Sequence, residues 1–220
     1  LSYLFLSSRL VELPLGVFAI AISTVFFPEM AKTASGANRA KFLETVARGL
    51  RLTAGVTIPA AAGLAFLAAP ILTALFQWGE FGAEEVEEAK IILVISSVGL
   101  PFYAISTFLV KVYHSKKNMS FPLQAAVVSM LSNLIFCLLL ISDYQVQGLA
   151  WANVLAAAVQ TLYLAIRSDE ISIKLLSGNR PFYPYPIALS TVLMSLVLWY
   201  SDYFSFSPTT KIECIIFLLC

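Results

Sequence analysis

The sequence predicts an all-α, polytopic transmembrane helix bundle. Of the 220 residues, 59% are hydrophobic and only 12% are charged, and the mean hydropathy is +0.84. Soluble domains are about one-quarter charged. Long apolar runs recur along the chain, and a helix of roughly 20 apolar residues crosses the hydrocarbon core of a bilayer. None of the runs alternates as a barrel strand does, so helices are the way to satisfy their backbone in lipid.

Seven apolar segments are predicted as membrane helices. They are rich in Leu, Ala, Ile and Val and are separated by polar links. Residue 1 is Leu and the last run stops while still apolar, so we expect 1–220 to be a fragment of a longer protein. The segments are 1–27, 52–76, 91–112, 121–141, 148–166, 185–200 and the truncated 212–220.

Residues 40–51, just before the second segment, form an amphipathic stretch. Apolar residues follow helical spacing, and charged residues fill the opposite side. We interpret this stretch as an interfacial helix that feeds the second segment. The apolar side holds Phe42, Leu43, Val46 and Leu50, and the charged side holds Lys41, Glu44, Arg48 and Arg51.

The charges of the links alternate in sign along the chain. The first, third and fifth links carry most of the Lys and Arg residues, whereas the second carries a run of glutamates that we interpret as a solvated face. By the positive-inside rule, the basic links face the cytoplasm, so the first segment runs inward. The acidic link holds Glu80, Glu84, Glu85, Glu87 and Glu88.

Arg9 and Glu12 are the strongest candidate for a binding site, because they lie inside the apolar first segment. A charge at membrane depth costs about 2.5–3.5 kcal/mol on insertion scales and normally faces a cavity or a partner. Three residues apart, the two side chains share one helix face. They are either a structural pair or a site in which Arg9 binds an anion and Glu12 orients it. Arginine suits phosphate because its planar fork donates two hydrogen bonds at once.

Other polar groups in the apolar segments have simpler interpretations. Lys111 can snorkel to headgroups at the end of its helix, and the alternative is a second anion contact. His114 is the only histidine, which rules out a histidine-rich metal site. For Asn133 and Asn153, hydrogen bonding between helices is favoured over ion coordination. Cys137 is expected to act as a small buried hydrophobe.

Motifs of common enzymes are absent from the sequence, including HExxH, a Gly-rich phosphate loop and a GxSxG elbow. We therefore expect transport rather than bond chemistry, and we expect no cofactor, metal or nucleic-acid partner.

Four stretches resemble the MurJ/MviN lipid II flippase family, and they occur in the family's order. Residues 8–17 read SRLVELPLGV and match its R-x-x-E-x-P-x-G-V helix, which continues to Pro28. Residues 75–81 resemble its F-x-x-G-x-F turn. The string LVKVY at 109–113 resembles the end of one of the family's helices, and Pro122 resembles the start of the next. GLA at 148–150 resembles the start of a further family helix.

This resemblance implies a fourteen-helix, two-lobe flippase in which the chain supplies the second, C-terminal lobe. Family members move lipid II, an undecaprenyl-pyrophosphate-linked disaccharide peptide, to the outer leaflet of the bacterial inner membrane for cell-wall synthesis. Arg9 would be a cavity arginine that engages the pyrophosphate, and Glu12 its acidic companion. Segments 185–200 and 212–220 would form a groove for the lipid tail. Membrane lipids and cell-wall synthesis proteins are the expected partners.

Two features depart from the family pattern. Tyr144 and Gln145 stand in the fourth link, where relatives often have a glycine. The fourth and fifth segments hold no carboxylate, so the sodium site of some relatives is not expected. Other functions stay open at this point: a related exporter of lipid-linked oligosaccharides or drugs, a membrane-embedded polyprenyl-phosphate transferase, and a cell-wall scaffold.

Overall fold

The computed structural model describes residues 2–34, 39–76, 83–168, 191–192 and 195–196, and the regular structure within these ranges is helical. The all-α transmembrane fold class is therefore confirmed. In chain order the elements are α1 (Ser2–Pro14), a π-helical segment (Leu15–Ile20), α2 (Ala21–Ala34), α3 (Arg39–Phe66), α4 (Ala68–Phe76), α5 (Ala83–Ser115) and α6 (Ser120–Arg167).

Five helical stretches among the described residues are long and apolar enough to cross a membrane. They correspond to the first five predicted segments. The predicted segments 185–200 and 212–220 lie outside the described residues, apart from 191–192 and 195–196. The five stretches are Phe5–Ala34, Arg39–Phe66, Glu85–Ser115, Ser120–Ser142 and Tyr144–Arg167.

The first span changes helix type at its middle. Pro14 ends α1, and it has no N–H to bond to the carbonyl of Leu10 one turn earlier. The next six residues, Leu15–Ile20, form a π-helix before α2 begins at Ala21. Such wider turns are rare and commonly occur where a helix kinks or carries a site.

Helix α5 is the centre of the bundle and packs against α1, α2, α3, α4 and α6. One core cluster joins α2, α3, α5 and α6 around Phe108, which is fully buried with Met30 and Val46. A second cluster joins α1, α3, α4 and α5 around Leu72 and Leu93. Because α5 is covered on several sides, it is the central element against which the first span packs.

The predicted boundary at residue 51 is absent, since 40–51 forms the first part of α3 and continues into the span. The reason is packing. Phe42, Val46 and Leu50 are buried against α5 in the core, so the apolar face of this stretch contacts protein instead of lipid headgroups. The second predicted segment, 52–76, is in turn divided between α3 and α4 at Leu67.

The two arms of α6, Ser120–Ser142 and Tyr144–Arg167, form a tight helical hairpin. Its turn passes through Gln145, whose backbone angles are φ 46° and ψ −120°. This conformation favours glycine, which has no side chain to clash. Gly148 follows, and a Cβ atom at this position would lie 2.5 Å from the carbonyl oxygen of Leu140 on the other arm. The two arms can approach this closely only because residue 148 is a glycine.

Cations of the third and fifth links contact aromatic rings near the starts of α3 and α6. The Nζ atom of Lys116 lies 5.0 Å from the centre of the Phe42 ring, and the guanidinium of Arg167 lies 5.4 Å from the centre of the Phe121 ring. These contacts join the start of α3, the end of α5 and both ends of α6. The cytoplasmic location of the basic links stays a prediction.

Candidate functional site

The Arg9–Glu12 pair is formed within α1. The Nη1 atom of Arg9 donates a hydrogen bond to Oε2 of Glu12 at 2.9 Å. The guanidinium also lies over the ring of Phe5, 5.0 Å from its centre. Positions 5, 9 and 12 are one helical turn apart, so the three side chains lie along one face of α1. The ring and the carboxylate hold the guanidinium from both directions along the helix.

Both charged side chains keep much of their surface exposed, 63% for Arg9 and 56% for Glu12. The opposite face of α1 is buried, since Leu10 and Val11 pack in the core that α1 shares with α3, α4 and α5. The core therefore fixes the helix, and the ion pair is directed away from it. An exposed guanidinium with remaining N–H donors is available to a ligand.

A cavity of about 740 Å³ lies beside this pair, between α1, α5 and both arms of α6. Glu12 lines the cavity, with Ser8 one turn earlier on α1. Tyr103 lines it from α5, Ser129 from the first arm of α6 and Gln160 from the second. The carboxylate of Glu12 thus connects Arg9 to a mainly apolar space that has polar groups in each of its walls.

Two asparagines in the cavity wall bond the arms of α6 to each other. The amide of Asn133 donates to the side-chain oxygen of Asn153 at 2.7 Å. This is the interhelical hydrogen bond predicted from the sequence. Cys137 is half-buried, and its thiol lies 3.6 Å from the side-chain oxygen of Asn133. On the same arm, the hydroxyl of Ser129 donates to the carbonyl of Ala156 at 3.4 Å. The polar groups of the wall are therefore part of the packing of the hairpin.

The structure brings Arg9 and Glu12 together but leaves Lys111 outside the cavity lining. Lys111 is half-buried on α5, eight residues beyond Tyr103, which corresponds to about 12 Å along a helix axis. It lies one turn from Lys116 and the basic end of the bundle. Its role as a second anion contact stays a prediction.

Most residues that line the cavity carry no distinctive signal in the sequence. Ser8, Ser96, Tyr103, Ser129 and Gln160 were not singled out, although they line the space beside Glu12. A signal was available, because small and polar residues on the first arm of α6 recur at helical spacing. The series is Ala126, Ser129, Asn133 and Cys137. Such a stripe indicates a helix face, but it does not indicate which other helices it faces.

The arrangement suits ligand binding. Within residues 2–34, 39–76 and 83–168, no group of three His, Cys, Asp or Glu side chains is placed to hold a metal ion. Arg9 offers charged N–H donors, and the cavity offers hydroxyl and amide groups that both donate and accept hydrogen bonds.

These features define a multi-pass helical membrane protein with a charged pair on α1 at the edge of a cavity between α1, α5 and α6. The family model for the lipid II flippase MurJ matches residues 1–217. The chain belongs to this family, which confirms the resemblance seen in the motifs.

Curated relatives carry the same family name. The chain is 35% identical over 157 residues to the probable lipid II flippase MurJ of Vibrio cholerae, with 71% of this chain and 30% of the relative covered. It is 30% identical to the probable lipid II flippase MurJ of Haemophilus influenzae over 91% of this chain and 40% of the relative. With the lipid II flippase MurJ of Thermosipho africanus, the identity is 30% over 90% of this chain and 39% of the relative.

A solved structure shares the fold. It is described as lipid II flippase MurJ in an inward closed conformation, and it matches with a TM-score of 0.70 and 28% identity. The match covers 93% of this chain and 48% of the solved chain. The chain thus spans between about a third and a half of the length of the proteins it resembles.

Proposed function

We propose that the chain forms the second lobe of a flippase that moves lipid II from the cytoplasmic to the outer leaflet of the bacterial inner membrane. One observation carries the proposal: an Arg9–Glu12 ion pair lies within a helix long and apolar enough to span a membrane, at the edge of a cavity with polar groups in its walls. Charged residues inside membrane spans commonly mark substrate pathways. The names of the relatives support lipid II as the substrate.

The chemistry of Arg9 fits the pyrophosphate of lipid II. A guanidinium has five N–H donors, and the bond to Glu12 involves only Nη1. Donors therefore remain for a phosphate oxygen without loss of the ion pair. In the empty site Glu12 balances the charge of Arg9, which lowers the cost of holding an unoccupied cation in the bundle. Once an anion binds, Glu12 keeps the guanidinium of Arg9 oriented.

Transport by alternating access requires part of the first span to move, and the π-helical segment is suited to this. Leu15–Ile20 separates the site on α1 from α2. Gly16 within it has no heavy atom within 4 Å of the position of a Cβ, so the face of the segment at Gly16 is open, while Ala19 on another face is fully buried. We infer that α1 can tilt relative to α2 there, opening the cavity to one leaflet and then the other. No covalent bond is made or broken, so the protein acts as a transporter and not as an enzyme. Cell-wall synthesis proteins that use lipid II on the outer side are its proposed partners.

Complementation tests the function. The full-length protein should restore the outward accessibility of lipid II in a bacterium depleted of its own flippase. Arg9→Ala should abolish this activity, and Glu12→Ala should reduce it, at normal levels of protein in the membrane. Failure of the intact protein would contradict the flippase proposal. Normal activity of both variants would contradict the site while leaving the fold unaffected.

Arg48→Ala is a matched control. The side chain of Arg48 is 63% exposed, as is that of Arg9, and it pairs with Glu44 at 3.8 Å on its own helix. It does not line the cavity and lies in the first half of α3. If removing any exposed arginine lowered translocation, both variants would lose activity equally. Only a selective loss of activity in Arg9→Ala therefore supports the site.

Lys111→Met separates the two interpretations of Lys111. The substitution keeps the length of the side chain and removes its charge. If Lys111 contacts the substrate, translocation in the same assay should fall together with affinity for the pyrophosphate. If Lys111 only snorkels to headgroups, translocation should be close to that of the unmodified protein.

A further inference from the structure

We propose that Phe5 is a positioning residue for Arg9 and that, together with Glu12, it leaves the guanidinium one open edge for a phosphate group. This inference rests on the proposed function, because it concerns how the same arginine is prepared to bind an anion. The guanidinium lies over the ring of Phe5, 5.0 Å from its centre, and its Nη1 atom donates to Glu12 at 2.9 Å. Both contacts are formed within α1, before any ligand binds.

The order of the three residues along α1 explains why both contacts form. Side chains of a helix lean toward its N-terminus. The guanidinium of Arg9 therefore reaches back one turn over Phe5, and the carboxylate of Glu12 reaches back one turn to the guanidinium. The three side chains form a row on the exposed face of α1.

The ring of Phe5 is not part of the packed core. Its side chain is 60% exposed, and it belongs to none of the core clusters in the described part of the chain. The buried face of α1 carries Leu10 and Val11 instead. Replacing Phe5 should therefore leave the bundle intact and change the environment of Arg9.

The contacts of Arg9 leave a specific set of donors open. A guanidinium is a planar fork with five N–H donors. Within the described residues, the hydrogen bond from Arg9 to a side chain uses Nη1. The N–H groups on Nε and Nη2 lie parallel along the side edge of the fork, and this edge stays open. Two parallel donors match two oxygens of one phosphate group, a bidentate contact that lysine cannot make.

The ring contributes to affinity by ordering the arginine in advance. An arginine side chain loses much rotamer freedom when it is fixed in place. A group that is already ordered loses less on binding, so the affinity for the anion is higher. Attraction between the cation and the ring face supplies this order. Phe5 thus favours anion binding without contacting the anion.

The test measures binding of undecaprenyl pyrophosphate to the full-length protein. Phe5→Leu keeps an apolar side chain but removes the ring, and it should weaken binding about two- to fivefold, the effect of an exposed cation–π contact. Phe5→Trp should bind at least as tightly as the unmodified protein, since Trp is the best cation–π partner. Arg9→Lys should weaken binding more than Phe5→Leu does, because the paired donors are lost.

A fluorinated ring separates the electrostatic role from simple packing. Trifluorinated phenylalanine at position 5 keeps the shape of the ring but withdraws electron density from its face. It should reproduce the loss seen in Phe5→Leu. Phe66→Leu is the matched control, because Phe66 is an exposed phenylalanine on α3 with no cation over its ring in the described bundle, and its binding should be unchanged.

The outcomes distinguish this inference from the function beneath it. The role of Phe5 is refuted if the fluorinated ring binds undecaprenyl pyrophosphate as tightly as the natural one. It is also refuted if Phe5→Leu weakens binding of uncharged undecaprenol by the same factor, since the ring would then contact the lipid tail. The open edge is refuted if Arg9→Lys binds normally. If Arg9→Gln leaves binding of undecaprenyl pyrophosphate unchanged, the proposed site itself fails.

Discussion

Replacing Gly49 with alanine should destabilise the bundle by forcing a buried ring to move. Gly49 lies on α3 and faces Phe108 on α5, and a Cβ at this position would lie 2.2 Å from Cζ and 2.6 Å from Cε2 of that ring. Phe108 is fully buried, and its ring contacts the edge of Phe26 with centres 6.3 Å apart. The ring is therefore enclosed on the side away from Gly49 as well.

The size of the destabilisation by Gly49→Ala follows from two opposing effects. Carbon atoms in contact are about 3.5–4.0 Å apart, so the ring must shift by more than 1 Å, and overpacking of this kind costs about 1–3 kcal/mol. Alanine favours the helix over glycine by about 1 kcal/mol. We place the cost near the upper end because the ring is enclosed, so the net loss in the free energy of unfolding should be about 2 kcal/mol.

Thermal unfolding of the full-length protein in detergent, combined with a double-mutant cycle, measures this loss. Phe108→Leu removes the obstructing ring edge, so Gly49→Ala should be neutral or stabilising in that background. Gly16→Ala is the control, since no heavy atom lies within 4 Å of the position of its Cβ. The reasoning is refuted if Gly49→Ala is as stable as the unmodified protein, or if its cost is the same with Leu at 108.

Three further predictions concern the hairpin of α6, and each is checked by the same unfolding measurement. Gly148→Ala should destabilise the protein by about 2 kcal/mol or more. The added Cβ would lie 2.5 Å from the backbone carbonyl of Leu140, and a backbone carbonyl cannot rotate away. An unchanged unfolding midpoint would contradict this. Gln145→Gly should stabilise the protein by about 1 kcal/mol, since φ 46° with ψ −120° strains a residue that carries a side chain. A lower unfolding midpoint would show instead that the Gln145 side chain stabilises the fold. The effects of Asn133→Leu and Asn153→Leu on the free energy of unfolding should be coupled by about 0.6–1.7 kcal/mol, the range for hydrogen bonds between membrane helices. Strictly additive effects would show that the 2.7 Å bond between the two side chains contributes nothing.

Much of the fold could be predicted because it follows from hydropathy and length. The five described spans overlap the first five predicted segments, with the second one shifted to Arg39–Phe66, since a backbone in lipid must satisfy its own hydrogen bonds and a helix does so locally. The stretch 40–51 was misinterpreted for a related reason. An amphipathic pattern shows that one face is buried but not in what, and Phe42 and Val46 are buried against α5 instead of among headgroups.

The candidate site was predicted only in part. Arg9 and Glu12 were found because charge inside an apolar run is costly wherever the helix lies. Ser96 and Gln160 were not found, since a hydroxyl or an amide in a membrane helix is common and its meaning depends on its neighbours. They line one space with Glu12 only because α1 and both arms of α6 pack around α5.

The sequence by itself determined the membrane class, the helical spans, the charged pair and, through its motifs, the family. These properties reside in single segments, where composition, spacing and the cost of a charge in lipid act locally. Only the tertiary structure decided which helix faces which, and so created the cavity beside Glu12. It also distinguished Gly49, which faces the ring of Phe108, from Gly16, which faces open space. The physical reason is that close packing joins residues far apart in the chain, and no pattern within one helix contains the shape of its neighbour.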